Sequence, residues 1–247
     1  MFKELEGKRF DEIGNYKDEL ENTTMRCIIL RKNNSKSIVN EIFARLNQGA
    51  VELSKQEIRH AIYPGNLNKL LIKLSEEEII EKFAKGKKGK KEKNSREGEE
   101  IVLRFFAMQD DKLIDYKNNL SKYFDNYMEE NQNMSDEKIN KMEKKFNETM
   151  EKCKTVFEKK VFFFYKEQKT QGQRQSLLIY DLVMWGFGNY EIDLLNKNKE
   201  KIKKAFEDLC KNDDFKKITS GGLADKSAIL KRRELWSNSL KKILMIF

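Results

Sequence analysis

Apolar residues along this chain recur mostly at intervals of three and four, which is the spacing of one face of an α-helix. The longest such stripe runs from Ser135 to about Glu167 and is carried by Ile139, Met142, Phe146, Met150, Cys153, Phe157, Val161 and Phe164. Shorter stripes predict helices over residues 35–47, 54–63, 66–73, 75–83, 100–109, 113–129, 173–187, 199–210 and 225–244. One proline in 247 residues also favours long helices. The pattern therefore predicts a mainly α protein.

One stretch departs from the helical spacing. Residues 24–31 (TMRCIILR) combine Thr, Cys and two Ile, and asparagines bound them on both sides, which favours a β-strand. A strand by itself leaves its backbone N–H and C=O groups without partners, and the pattern predicts no second strand. We therefore expect the partner strands to come from another chain or from sequence upstream of Met1.

Unusual polar residues are concentrated around a glycine corner within residues 42–68. One predicted helix carries them at its end, before Gly49, and the next carries them in its first turns. The set is Arg45, Asn47, Gln56, Glu57 and Arg59. The second helix has the capping-box pattern Ser54-Lys-Gln-Glu57 and is stopped at Pro64-Gly65.

Two interpretations of this polar set stay open from the residues alone. Arginine offers a rigid fork of donors for phosphate, and Asn and Gln add paired donors and acceptors, so the set suits an anionic or nucleotide ligand. Alternatively, Glu57 pairs with Arg45 or Arg59, and the network only locks two helices together. The one histidine, His60, lies beside the set, and we expect a packed or surface residue rather than a catalytic base.

A run of lysines interrupts the apolar pattern. Residues 84–98 (AKGKKGKKEKNSREG) have almost no apolar side chain, and their basic residues are Lys85, Lys87, Lys88, Lys90, Lys91, Lys93 and Arg96. These side chains are candidates for contact with DNA phosphates, although a charge run is more often a solvated loop. The break also predicts domains: residues 1–84 as the end of an α/β unit, 85–98 as a flexible basic loop and 99–247 as a helical bundle.

Composition narrows the functional classes. The chain has 50 Lys and Arg against 41 Asp and Glu, a net charge of +9, which favours an acidic partner such as nucleic acid. The three cysteines are far apart in sequence, so reduced thiols in the cytoplasm are expected. No apolar run reaches the roughly 18 residues of a membrane span, and no membrane partner is expected.

Residues with catalytic or metal-binding chemistry are scarce. One histidine and scattered cysteines give no metal site by spacing, and the common phosphate-loop motifs are missing. Asp181 lies within the apolar stretch LLIYDLVMWGF, and a buried carboxylate requires a partner. We expect that partner to be Arg174 or a lysine of a neighbouring helix.

The stretch IFARLNQGAVELSKQEIRHAIYPG resembles the N-terminal domain family of GmrSD-type restriction endonucleases, which is related in fold to the ParB/sulfiredoxin group. The family pattern is close to Ile-Phe-x-Arg-Leu-Asn-x-Gly, followed by Leu-Ser/Asn-x-Gln-Glu-Ile/Leu-Arg-Asn-Ala. The matching positions are Ile42, Phe43, Arg45, Leu46, Asn47, Gly49, Leu53, Ser54, Gln56, Glu57, Ile58, Arg59 and Ala61. His60 and Ala50 depart from the family pattern. The resemblance is specific over roughly residues 1–80 and loose beyond them.

The family's signature Asp-Gly-Gln-Gln-Arg, implicated in nucleotide hydrolysis, does not occur in this chain, and the HNH-type nuclease domain of many relatives is also missing. The resemblance therefore implies the C-terminal portion of a ParB-like α/β domain joined to a helical bundle, truncated from a bacterial restriction or phage-defence protein. For the intact protein it implies a nucleoside triphosphate with Mg²⁺. It also implies DNA as a partner, with a nuclease subunit or a second copy of the chain as further partners.

Two functions follow as hypotheses. In the first, the chain is a fragment of a nucleotide-dependent, DNA-acting restriction protein and is inactive alone; Arg45 and Asn47 line the edge of a nucleotide pocket that Glu57 and Arg59 order. In the second, it is a non-catalytic helical module that binds DNA or a partner, and the polar set is a structural lock. The sequence leaves open whether the chain is an enzyme.

Overall fold

The computed structural model describes residues 3–24, 27, 42, 53–83, 96–109, 113, 116–165, 175–220 and 224–244. These fall into two compact units, residues 1–42 and residues 43–247. In the first unit, single 3₁₀ turns at Lys3–Leu5 and Phe10–Glu12 precede a short helix, α1 (Tyr16–Glu21). The hydroxyl of Tyr16 donates to Glu4 Oε1 at 2.6 Å and ties the helix to the first turn.

Helices make up the second unit, with short loops between most of them. Their bounds are α2 (Lys55–Ile62), α3 (Asn66–Ser75), α4 (Glu78–Phe83), α5 (Glu97–Gln109), α6 (Leu120–Asn131), α7 (Asp136–Phe157), α8 (Leu177–Phe187), α9 (Ile192–Lys197), α10 (Lys199–Lys211), α11 (Asp213–Ser220) and α12 (Lys226–Leu244). A 3₁₀ turn at Glu158–Lys160 follows α7. The predicted mainly α fold is confirmed, and within the described ranges no helix is both long and apolar enough to cross a membrane.

One large core holds the second unit together. Helix α3 packs along α5, α5 packs on α8, and α7 contacts both α8 and α10, while α12 lies against α8, α10 and α11. The most apolar helix, α8, is central and contributes Tyr180, Val183 and Phe187 at 0% exposure or close to it. Leu67 and Leu71 of α3 belong to the same core as Trp236 of α12. The boundary predicted within residues 85–98 therefore falls inside this unit.

Two of the predicted elements lie outside the part of the chain that the structure describes. Of the predicted strand 24–31, only Thr24 and Cys27 are described, and of the predicted helix 35–47, only Ile42. The ParB-like α/β remnant accordingly stays a prediction. In the described ranges no residue belongs to a β-strand, and a lone antiparallel bridge joins Phe163 to Gln175.

The caps of the short helices follow the sequence in one case and depart from it in another. Ser54 accepts from the N–H of Glu57 at 3.2 Å and the N–H of Ser54 donates to Glu57 Oε2 at 2.7 Å, which confirms the capping box of α2. The stretch Ser75-Glu-Glu-Glu78 also has the capping-box pattern, which predicts that a helix starts at Ser75, and this prediction is wrong. Ser75 still belongs to α3, so its hydroxyl donates back to the carbonyl of Ile72 at 2.7 Å. Glu77 caps α4 instead, by accepting from the N–H of Ile79 at 2.8 Å.

The long central helix is shorter than its apolar stripe predicts. Helix α7 stops at Phe157 because Glu158 adopts a positive φ of 52°, which no α-helical residue has. The apolar stripe continues only because Val161 and Phe164 re-enter the same core from a turn. The helix predicted over 113–129 begins at Leu120, and two described helices of the second unit, α9 and α11, have no predicted counterpart. For α11 a signal exists, since Asn212 Oδ1 accepts from the N–H of Phe215 at 2.9 Å as an N-cap.

Candidate functional site: a buried arginine network and an open aromatic cavity

Helix α2 carries the described part of the predicted polar set. Gln56, Glu57 and Arg59 lie on it, whereas Arg45 and Asn47 lie outside the described residues. The capping box fixes the first turn of α2, and Gly65 lets α3 begin close behind it. Gly65 has a φ of 155°, and a Cβ there would lie 2.3 Å from the carbonyl oxygen of Gln132. Helix α2 itself contacts α5 and α6.

The guanidinium of Arg59 is buried and uses every one of its donors inside the protein. Its side chain is 2% exposed. Nε donates to Asp125 Oδ1 at 2.7 Å, Nη1 donates to Glu100 Oε2 at 3.1 Å and to Gln56 Oε1 at 3.3 Å, and Nη2 donates to the carbonyl and hydroxyl oxygens of Ser121 at 3.2 and 3.0 Å. Arginine has five N–H groups, so none is left for a ligand.

A second buried arginine, Arg104, lies near the ring of Phe124, as Arg59 does. Arg104 of α5 makes a two-pronged pair with Asp181 of α8, with Nε donating to Oδ1 at 3.1 Å and Nη2 donating to Oδ2. The guanidinium carbons of Arg59 and Arg104 lie 5.4 and 5.8 Å from the ring centre of Phe124, which is 1% exposed. Both guanidinium groups are close enough to this ring for a cation–π attraction. This set of contacts joins α2, α5, α6 and α8, and we call it the arginine network.

The arginine network favours the locking interpretation of the predicted polar set. Glu57 is not the partner of Arg59, because its carboxylate is used in the helix cap. Gln56 Oε1 accepts a hydrogen bond from Arg59, and Gln56 Nε2 is buried without a partner in the described structure. Asp181 is a paired carboxylate as predicted, but Arg104 supplies the charge, and the predicted alternative Arg174 lies outside the described residues.

His60 of α2 and Arg96 form a smaller cluster around the carboxylate of Glu99 on α5. His60 Nδ1 lies 2.9 Å from Glu99 Oε2, and Arg96 Nη1 lies 2.8 Å from Glu99 Oε1. Glu99 is 3% exposed, so the two basic groups lie where its burial requires a partner. His60 is a packed histidine, as predicted. Arg96 is the one described member of the predicted DNA-contact set; Lys85, Lys87, Lys88, Lys90, Lys91 and Lys93 lie outside the described residues.

A cavity lies elsewhere, where α7 ends against α10. Its volume is about 540 Å³, and its lining consists of Phe157, Glu158, Lys159, Lys160, Phe163, Phe164, Tyr165, Lys203, Phe206 and Glu207. Phe157 and Phe206 form its floor, with ring centres 5.1 Å apart, while Phe163, Phe164 and Tyr165 are partly exposed. We call it the aromatic cavity. Residues 161–165 form a short apolar run, VFFFY, in the sequence. This run of aromatic side chains is the one sequence signal that points to the aromatic cavity.

Backbone geometry turns this run of aromatic residues outwards. Glu158 and Phe162 have φ values of 52° and 66°, a region that costs a residue other than glycine roughly 1–3 kcal/mol. Phe162 thereby points inwards, 1% exposed, with its ring centre 4.9 Å from that of Tyr180. The N–H of Ser176 donates to the carbonyl of Phe162 at 2.8 Å and holds the turn in place. Phe163 and its successors are left to line the cavity.

Some of the charged side chains at the mouth of the aromatic cavity form ion pairs and others do not. Lys203 and Lys199, at 3.5 and 3.6 Å, hold the pKa of Glu158 below its usual value. Neither Lys159 nor Lys160, both exposed, has an ion-pair partner within the part of the chain that the structure describes. Beneath the cavity, burial raises the pKa of the Cys210 thiol to about 11, partly offset by a hydrogen bond with the backbone of Tyr165. The mouth is therefore cationic over an apolar floor.

A third feature is the basic character of the last helices. Residues 199–244 contain thirteen Lys and Arg against seven Asp and Glu. A groove between α10 and α12 is lined by Lys201, Lys204 and Lys242, together with Glu200, Ala205, Asp208 and Ile243. Lys241 and Lys242 are both exposed at the end of α12. In the described ranges, no group of three or more His, Cys, Asp or Glu residues is arranged to hold a metal ion.

Comparison of the chain with protein families, with curated proteins and with solved structures finds no match in any of the three.

Proposed function

We propose that this chain is a non-catalytic helical module that binds nucleic acid through exposed lysines, and that its arginine network is a structural lock. The proposal selects the second of the two functions that the sequence leaves open. What supports it is the way that the positive charge is divided between the interior and the surface.

The division of charge between arginine and lysine is the observation that carries the proposal. Arg59 and Arg104 are 2% and 3% exposed, and each is paired with a carboxylate inside the second unit. A guanidinium whose five donors are occupied cannot also bind a phosphate without breaking those contacts. The positive charge that remains on the surface is mostly lysine, and residues 199–244 hold a large share of it. On this proposal, lysines meet the acidic partner, and Arg59 and Arg104 do not.

Nucleic acid is the acidic partner that this surface fits best. Contacts from Lys to phosphate supply sequence-independent affinity and release bound counterions. The groove between α10 and α12 places Lys201, Lys204 and Lys242 on one surface, with Lys241 beside them. The lysines of residues 85–93 are a further predicted contact of the same kind. A role within a DNA-acting restriction system, as the resemblance implies, is compatible with such a module but is not required by it.

Salt dependence of DNA binding tests the proposal. Anisotropy of a labelled 20-mer, single-stranded and duplex, is measured with the purified chain across a KCl series. We expect the logarithm of the affinity to fall linearly with the logarithm of salt concentration. The double variant Lys241→Glu/Lys242→Glu should reduce that slope by about 2, since each lost phosphate contact removes about 0.9.

A matched variant on α7 separates a specific surface from net charge. Lys141→Glu/Lys144→Glu makes the same change of charge at two exposed lysines that pair with Glu137 and Glu148 within the helix. It should keep the wild-type slope. The proposal fails if neither oligonucleotide is bound, or if the α7 variant lowers the slope as much as the α12 variant.

A further inference from the structure

The aromatic cavity is concave, apolar at its base and charged at its mouth. A volume of about 540 Å³ lies within the range of small-molecule sites. Its floor is rigid, because Phe157 stacks on Phe187 at 5.8 Å and Phe206 meets Trp236 at 5.8 Å, both deep in the core. A rigid floor of rings offers a preformed surface for a flat apolar ligand.

The aromatic walls suit a planar ring system better than an aliphatic chain. Phe163 and Phe164 are partly exposed and lie above the Phe157 and Phe206 floor, so a flat ligand meets ring faces and ring edges on several sides. Bases stack on such platforms regardless of their identity, because every base has a π-face. The unfavourable φ of Phe162 is the local cost of presenting Phe163 outwards, and strain of this kind is typical of ligand-binding positions.

The charged side chains at the mouth favour a ligand that carries a polar, anionic group as well as a planar ring. Glu158 is neutralised by Lys199 and Lys203, which leaves the cations Lys159 and Lys160 at the edge of the cavity. An ammonium group at that position fits a phosphate. Glu207 also lines the cavity, and a carboxylate can accept a hydrogen bond from the exocyclic amino group of a base.

We propose that the aromatic cavity binds one nucleobase together with its phosphate, supplied either by a free nucleotide or by an unpaired position in a single strand. The choice of a nucleotide over other planar anions rests on the proposed function. The base stacks between Phe163 and the floor, the phosphate lies at Lys159 and Lys160, and Glu207 favours bases with an amino group. Helix α10 joins the two sites, since Lys203 and Phe206 face the cavity while Lys201 and Lys204 face the groove.

Fluorescence of 2-aminopurine reports stacking directly and provides the test. The probes are a single-stranded 12-mer with one central 2-aminopurine, the same strand in a duplex, and 2-aminopurine riboside 5′-monophosphate. We expect the full chain to quench the single strand or the mononucleotide but not the duplex. Binding of the mononucleotide as well as the strand identifies a free nucleotide as sufficient; binding of the strand alone identifies the strand as the source.

The decisive variant is Phe163→Leu, which keeps the apolar volume and the fold but removes the π-face. We expect it to weaken quenching-detected binding about 5- to 150-fold, the effect of losing one base–aromatic stack. Lys160→Glu should weaken the same binding by removing the phosphate contact. Phe10→Leu, at a 44% exposed phenylalanine of the first unit, is the matched control and should bind as wild type does.

Failure of the cavity and failure of the proposed function give different results. One result is that the single strand binds with salt dependence and that Phe163→Leu binds it and quenches its 2-aminopurine as strongly as wild type does. This result overturns the cavity inference and leaves the proposed lysine surface supported. If strands and duplex are not bound while the mononucleotide is, and Phe163→Leu abolishes that binding, the cavity inference stands and the proposed function fails. Absence of any quenching with all three probes overturns the cavity inference.

Discussion

The arginine network and the aromatic cavity reverse the usual distribution of residue types. At the first, two arginines are 2% and 3% exposed and are sealed between four helices. At the second, three successive aromatic residues are partly exposed around a cavity of about 540 Å³. Arginine usually lies on the surface and phenylalanine in the interior. Charged side chains thus lie in the interior of this molecule at the arginine network, and apolar side chains line the aromatic cavity.

This reversal shows why residue type alone is a poor guide to a binding site. A charged side chain binds a ligand only if its donors are free, and the five donors of Arg59 are occupied. An aromatic side chain binds a ligand only if a face or an edge of its ring is exposed. The turn at Glu158–Lys160 leaves the ring of Phe163 partly exposed at the aromatic cavity. Whether a side chain acts as a structural contact or as part of a binding site depends on its solvent exposure and on how many of its polar groups already have partners.

The largest expected effect is loss of the arginine network. Arg59→Ala removes a buried charge that serves Glu100 and Asp125, and the free energy of unfolding should fall by about 3 kcal/mol, at the low end for a broken buried pair because both carboxylates are about one-third exposed. Urea denaturation followed by circular dichroism measures it. DNA binding by the folded fraction should be unchanged.

The control for this change is an exposed ion pair. Lys82→Ala removes the partner of Glu78, with both side chains at least 60% exposed, and should cost less than about 0.5 kcal/mol. If Arg59→Ala is no more harmful than Lys82→Ala while DNA or nucleotide binding is lost, the arginine network is a ligand site and the comparison between the two regions is reversed.

Next in size is a test of the floor behind the aromatic cavity. A Cβ at Gly186 would lie 2.4 Å from Nε1 of the fully buried Trp236, whose ring supports Phe206. Gly186→Ala should therefore destabilise the protein by about 1–3 kcal/mol through overpacking, with part of that offset by helix propensity. The loss should appear as a lower thermal midpoint together with weaker 2-aminopurine quenching.

Gly188→Ala is the matched substitution two residues away. A Cβ at Gly188 meets its nearest neighbour, the Gln109 side chain, at 3.4 Å, and the backbone there is helical. Its effect should stay within about 1 kcal/mol and be neutral or stabilising. Equal losses from the two variants would show that the packing of Trp236 is not what shapes the floor.

A smaller effect is expected at the start of α2. Ser54→Ala removes the side-chain acceptor of the capping box and should cost about 1 kcal/mol, as is typical of N-caps. Ser54→Asp keeps an acceptor and should remain near wild type in urea denaturation. A loss much larger than about 2 kcal/mol would mean that α2 depends on its cap more than on Arg59, contrary to the role given to the arginine network.

The last prediction is a pH dependence near the aromatic cavity, which has no effect at neutral pH. Burial raises the pKa of Cys210 to about 11 from an ordinary value of 9.0, so the unfolded chain loses this proton first. The contribution of Cys210 is fully present below pH 9 and is lost as pH rises through about 11. Between those limits, the stability of wild type should fall more steeply than that of Cys210→Ala, measured by urea denaturation at each pH.

Cys27 provides the control for the thiol measurement because it is exposed. Cys27→Ala should follow the wild-type pH profile, and in the native protein Cys27 should react with a thiol reagent well before Cys153 and Cys210, which are buried. Fast reaction of Cys210 would show that the protein opens to solvent behind Tyr165, which lines the aromatic cavity.

Particular residues show how far prediction from sequence reaches. The Ser54–Glu57 capping box, the stop at Pro64–Gly65 and the stripe of α7 as far as Phe157 follow local rules, and the structure confirms them. The end of α7 does not, because a positive φ at Glu158 is compatible with the apolar stripe on both sides of it. The pairing of Asp181 with Arg104 spans 77 residues, a distance over which spacing carries no information.

By itself, the sequence determined the mainly α class, the polar corner as a place of interest and the excess of basic charge. These depend on periodicity, capping chemistry and composition, which are properties of short stretches or of totals. Only the tertiary structure decided that every donor of Arg59 is occupied, that residues on both sides of the basic loop share one core, and that Phe163 lines an opening. Each of these depends on which distant groups meet, and burial and satisfied donors are set by those contacts and not by neighbours in sequence.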